Sequence, residues 1–191
     1  MTQFNIEHIF GGIHLIRANM HPDKRGFFHE TFNIKDFTDS TLAPLLRPIQ
    51  QINHSFSKAG VVRGMHFQRD HPQAKLVSVT RGAIIDFVQD IRPDSPTYGR
   101  SYWALLDDHY FNMLYVPRGF SHGFVALADS DVVYFCDDIR YEGDEYGYNA
   151  RPLIEEYTER WTNLTGFNAK FGDLIISDRD RALPEFVKKM P

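Results

Sequence analysis

Two histidines stand in sequence frames that commonly hold a metal ion. In GVVRGMHFQRDHPQAKLVSVTRG (60–82), His66 is followed by Gln68 where a second histidine would complete a ligand pair. Lys75 occupies the place of a carboxylate ligand. In VPRGFSHGFVAL (116–127), Pro117, Gly119 and His122 form P-x-G-x-x-H, a tight turn that delivers His122 into the next strand. Catalytic metal sites want three protein ligands, and a lysine cation among two remaining histidines repels a metal ion. The frame is expected to work without metal or other cofactor. A lysine can stabilise charge on a carbonyl oxygen as a Lewis acid would. A histidine beside it can take a proton from the neighbouring carbon. The chemistry these residues suit is proton abstraction next to a ketone.

Strands have to position these side chains. Residues 50–141 carry short β-branched and aromatic runs (VVRGMHF, AKLVSVTRG, AIIDFVQDI, SYWALL, FNMLYVP, GFVAL, DVVYFC) separated by Gly, Pro, Asp and Asn. Such even spacing predicts a sandwich or barrel. Strand alternation puts Lys75, Val77 and Val79 on one face, and Val132, Tyr134 and Cys136 on one face. His66 shares a face with Gly64 and Gln68. Arg63 points the other way unless Gly64 supports a bulge that re-aims it.

Thr80, Arg81, Gly82 and Ala83 read as a hairpin turn. Residues 1–33 read as strands and turns, with HPDKRGFF (21–28) a turn entering a strand. IKDFTDSTL (34–42) predicts a short helix ending near Pro44, and PLIEEYTERW (152–161) a second with Pro at its start. The tail predicts a third, starting near Ser177 or Asp178. With no linker and no repeat, residues 1–191 read as a single domain.

Composition narrows the function classes. A net charge of −4 gives no basic field for nucleic acid, while leaving room for a locally basic pocket that takes a small anion. Sixteen Phe and nine Tyr favour strands and furnish walls for flat ligands. A lone cysteine, Cys136, excludes an internal disulfide, and no apolar run approaches the ~20 residues of a membrane helix. No signal peptide is read in MTQFNIEHIFGG, so a cytoplasmic protein is expected.

The two histidine frames resemble the paired motifs of cupins. That resemblance implies an all-β double-stranded β-helix, or jelly-roll barrel, with a few short peripheral helices. RGFFHETFN (25–33), QQINHSFSKAGVVRGMHFQ (50–68), QAKLVSVTRGAIIDFVQDIRPDSPTYG (73–99), VPRGFSHGFVAL, VVYFCDD (132–138) and ISDRDRALP (176–184) follow in the order of the dTDP-4-dehydrorhamnose 3,5-epimerase family, which the chain resembles over most of its length.

The family inverts C3 and C5 of a nucleotide-linked 4-keto-6-deoxy sugar, and both carbons flank the C4 ketone. The resemblance implies His66 as base, Tyr134 as acid on the opposite face of the sugar, Asp180 as the carboxylate orienting His66, and Lys75 as stabiliser of the enolate oxygen with Arg63 close by. It implies Arg25, Glu30, Gln51, Asn53, His122, Glu145 and Arg179 as residues holding the nucleotide and diphosphate. It further implies a homodimer with an exchanged N-terminal segment, in which Arg25 and Phe28 act at the partner's site.

Three departures stand out. Phe135 replaces a lysine, and alternation turns it away from Tyr134. Arg140 replaces an aromatic that stacks on the base, a role a planar guanidinium can share. The W-x-D-P segment is absent from EYGYNARPLIEE. Asp86 and Asp90 also match the family, but D-x-R-P-D is equally the pattern of a strand exit, and both fall outside the candidate set. The alternatives are a 3-only or 5-only epimerase, an enzyme for CDP- or GDP-linked sugars, and a cupin that binds a sugar nucleotide without turning it over.

Overall fold

The computed structural model describes residues 4–38, 40–43, 47–167 and 171–187. In chain order its elements are β1 (Phe4–His8), β2 (His14–Ala18), β3 (His21–Asp23), β4 (Gly26–Phe28), α1 (Ile34–Thr38), β5 (Gln51–Ser57), β6 (Val61–Gln68), β7 (Lys75–Arg81) and β8 (Ala83–Asp90). Then follow β9 (Ser101–Asp107), β10 (Asn112–Val116), β11 (Phe120–Ala126), β12 (Ser130–Cys136), β13 (Glu145–Gly147), α2 (Arg151–Thr165), β14 (Ile175–Ile176) and α3 (Asp178–Arg181).

One sheet runs β1-β2-β10-β7-β12-β5, the other β13-β6-β11-β8-β9. Pairing within both is antiparallel, and β14 adds to β6 in parallel. From β5 to β12 each strand crosses to the opposite sheet, except at the β8–β9 hairpin. That winding is the expected jelly-roll, all-β with peripheral helices.

The expected hairpin at residues 80–83 is not one. β7 and β8 lie in different sheets, so Gly82 is a corner between them. Its φ of +83° is left-handed, and a Cβ there would collide with the backbone of Asp129. Local turn chemistry signalled the bend, and sheet packing decided what it joined.

Alternation sorts the side chains into layers. Leu114, Val77, Val79 and Val132 of the first sheet face Ile84, Val88, Phe120 and Phe124 of the second, forming the barrel's apolar floor. The outer face of the second sheet, with Val62, Met65, Ile85, Phe87 and Val125, is covered by Leu153, Ile154, Tyr157 and Trp161 of α2. These recur at helical spacing, which is why this segment is a helix. Pro152 sits in its first turn and Gly166 caps it at φ +74°, so it runs past the expected residue 161. α1 buries Phe37 against the outside of the first sheet; it ends at Thr38, short of the expected residue 42, and Pro44 lies outside the described residues. Phe135 stacks on Phe32 there, facing away from Tyr134 as alternation requires.

Candidate active site

One end of the barrel stays polar and opens into a cavity of about 170 Å³, whose lining includes His66, Lys75, Tyr134, Asn53, Arg140 and Glu145. His66 comes from the second sheet, Lys75 and Tyr134 from the first, so they stand on opposite walls.

A β-bulge aims His66. Opposite β11, His66 pairs with His122 and Arg63 with Phe124, so β6 spends three steps where its partner spends two. The extra residue puts Arg63 and His66 on the same side. Gly64, at φ +96°, makes it possible, because a Cβ would lie 2.5 Å from the His122 carbonyl oxygen. Arg63, itself exposed, thereby lies on the same side of β6 as His66, and its charge favours the ionised form of Tyr134. Its guanidinium is held by Ser57 Oγ at 2.9 Å and the Phe56 carbonyl at 3.0 Å.

His66 Nε2 lies 2.7 Å from Asp180 Oδ1, and Asp180 Oδ2 accepts from the Gly64 amide at 3.2 Å. A carboxylate only accepts, so Nε2 carries a proton, and in the neutral ring it is Nδ1 that has the lone pair. Glu145 Oε1 is 4.0 Å from Nδ1, beyond hydrogen-bond reach. Asp180 sits on α3, which starts where the sequence predicted: Ser177 caps it by accepting from the Asp180 amide at 3.1 Å. Burial pushes the Asp180 carboxyl up, but His66, the Gly64 amide and Arg179 outweigh it and hold it below the usual range.

Across the cavity, burial drives the Tyr134 hydroxyl up to about 12 despite its 3.0 Å bond to Ser55 Oγ. Tyr134 therefore keeps its proton at neutral pH. Burial lowers the proton affinity of Lys75, opposed by Cys136 and by the carboxylates of Glu145 and Asp86. The site can thus remove a proton from one wall, hold negative charge and return a proton from the other.

His122 departs from the expectation that it holds nucleotide. It lies 6% exposed inside the barrel, its Nε2 2.5 Å from Asp86 Oδ1, with Tyr134 edge-on at 6.2 Å. Asp86, set aside in the sequence, belongs with the site. It shares the inward face of β8 with Ile84 and Val88, and burial raises its carboxyl even beside His122 and Lys75. Ser55 was also missed. Period-two alternation from Gln51 and Asn53 would have found it. Asp90 is the strand-exit anchor its motif suggested, bonded to Arg92, Ser95 and Thr97.

At the mouth, Gln51 accepts from the Arg140 amide at 2.8 Å and donates to Asn53 at 2.7 Å. Glu145 Oε2 takes Arg140 Nη2 at 2.5 Å and Arg179 Nη1 at 3.3 Å. Three expected residues are not brought to this cavity. Arg25 projects from the β3–β4 hairpin, paired with Asp23. Phe28 is 66% exposed beside it, and Glu30 bonds to Asn33. Among the described residues no group of three His, Cys, Asp or Glu side chains could hold a metal ion.

A jelly-roll interior that can shuttle protons beside a carbonyl defines a cupin-type isomerase. The family model described as dTDP-4-dehydrorhamnose 3,5-epimerase matches residues 7–188. A protein of that name from Methanothermobacter thermautotrophicus is 36% identical over 183 residues, 95% of this chain and 94% of its own length. The crystal structure of the Sulfolobus tokodaii enzyme of that name superposes with a TM-score of 0.79 at 36% identity, over 96% of this chain and 95% of that one. An epimerase from Legionella pneumophila, crystallised with dTDP-4-keto-L-rhamnose, superposes with a TM-score of 0.80 at 28% identity, over 97% and 100% of the two chains. The chain belongs to the dTDP-4-dehydrorhamnose 3,5-epimerase family.

Proposed function

We propose that this protein inverts C3 and C5 of dTDP-4-dehydro-6-deoxyglucose, giving dTDP-4-dehydrorhamnose, within a single domain spanning residues 1–191. The observation that carries the reading is the Asp180-oriented His66 facing Lys75 and a protonated Tyr134 across one cavity. His66 Nδ1 takes the proton from the carbon beside C4. The bonding electrons move onto the C4 oxygen as an enolate, which Lys75 stabilises. A lysine whose proton affinity is lowered by burial is better matched to sharing a proton with that oxygen. Tyr134 returns a proton on the opposite face; His66 then releases its proton to water and Tyr134 takes one back from water, and the cycle repeats at the second carbon.

Gln51, Asn53, Arg140 and Arg179 ring the mouth where the diphosphate and base would lie, and guanidinium forks suit phosphate oxygens. The dimer belongs to the same proposal. The β3–β4 hairpin offers Arg25, Phe27 at 52% exposure and Phe28 to solvent, away from the chain's own cavity, as a segment that completes a second copy's site would. No helix among the described residues is long and apolar enough to cross a membrane, and the free, buried Cys136 fits a reducing cytoplasm.

Proton NMR in heavy water, with purified protein and dTDP-4-keto-6-deoxyglucose, tests the reaction. Deuterium entering at both C3 and C5 is expected. Entry at one carbon selects a mono-epimerase, and exchange only with CDP- or GDP-linked sugars assigns the site a different base. No exchange with any of the three leaves a binding protein.

A further inference from the structure

Glu145 is the anion that the arginines at the cavity mouth bind. Its Oε2 binds Arg140 Nη2 from the loop after β12 and Arg179 Nη1 from α3, so one carboxylate oxygen ties both sides of the cavity mouth together. Its other oxygen faces His66 Nδ1 at 4.0 Å. Burial alone would raise this carboxyl, yet Arg140 and Arg179 hold it ionised and low. Both arginines are more than half exposed, and such pairs are weak. A carboxylate that holds two guanidinium groups weakly at the entrance can be exchanged for a stronger anion.

We propose that Glu145 is an internal competitor for the diphosphate: it holds Arg140 and Arg179 at the cavity mouth and surrenders them to the phosphate oxygens of an incoming nucleoside diphosphate. A diphosphate carries more charge and more acceptors than one carboxylate and can engage both forks bidentately. An uncharged nucleoside offers nothing to make the exchange. Glu145 thereby makes diphosphate a condition of entry, and breaking the Arg140–Glu145 tie opens the mouth above His66. The inference rests on the nucleotide-sugar reading of this cavity.

Isothermal titration of thymidine, dTDP and inorganic pyrophosphate into wild type, Glu145→Gln and Glu145→Ala tests it. Removing the competitor should tighten dTDP and pyrophosphate by about threefold to tenfold, the range of two exposed ion pairs, in both variants. Thymidine affinity should stay unchanged. Unchanged or weaker dTDP binding in folded variants overturns the proposal, as does an equal gain for thymidine. If wild type ignores dTDP while pyrophosphate still gains on substitution, the competitor stands and the nucleotide reading falls.

Discussion

His66 Nε2 and Asp180 Oδ1 lie 2.7 Å apart although 114 residues separate them in the chain. The carboxylate fixes which imidazole nitrogen carries the proton and leaves the other free as a base. Asp180→Asn presents an amide that can donate as well as accept, and the tautomer is no longer dictated. The expected outcome is a loss in kcat of about 10²-fold or more with the nucleotide Kd nearly unchanged. His66→Ala should abolish deuterium exchange at both carbons while dTDP still binds. Loss of dTDP binding in His66→Ala would give the histidine a structural role instead.

Tyr134 and Ser55 separate proton return from proton removal. Tyr134→Phe should slow inversion while solvent deuterium still enters, read by NMR. Equal loss of exchange and inversion would remove its role as acid. Ser55→Ala takes away one hydrogen bond to the phenol, worth about 1 kcal/mol, and should lower the inversion rate by roughly fivefold.

Lys75→Met keeps bulk and removes the group set to stabilise the enolate. A fall in kcat of about 10²- to 10³-fold is expected, with KM changed far less. A large rise in KM at constant kcat would show that Lys75 only binds substrate.

Asp90 governs acid stability. Its buried carboxylate resists desolvation through bonds from Arg92, Ser95 and Thr97, which bring its pKa from 3.8 to about 2. The folded pKa lies below the unfolded one, so the unfolded chain takes up the proton first as pH falls. The stabilisation is fully present above the ordinary carboxylate pKa and is lost between pH about 4 and about 2. Asp90→Asn removes the charge that Arg92, Ser95 and Thr97 bind, and because Arg92 stays partly hydrated the cost is about 2 kcal/mol, or roughly 4–8 °C in Tm. Circular dichroism melts across this range should show the difference between variant and wild type shrinking as pH falls toward 2.

Much of this protein was legible because strand alternation is local. The period of two placed Lys75, Val77 and Val79 together, placed Val132, Tyr134 and Cys136 together, and turned Phe135 outward. The residue types in the two histidine frames announced a lysine where a metal ligand belongs. Ser177 marked the start of the helix that carries Asp180, because an N-cap needs only its own turn.

Tertiary structure decided the rest, since sequence does not state which strands become neighbours. The bulge at Gly64 brought Arg63 and His66 to one side, and it exists against the backbone of β11. Asp86 and Asp90 share one face of β8, yet one joined His122 inside the barrel and the other anchored a turn. Gly82 announced a bend, and the packing of two sheets made it a corner instead of a hairpin. Arg140, Glu145 and Arg179 come from three separate segments and meet only at the cavity mouth, because a charge's partner is set by distance in space.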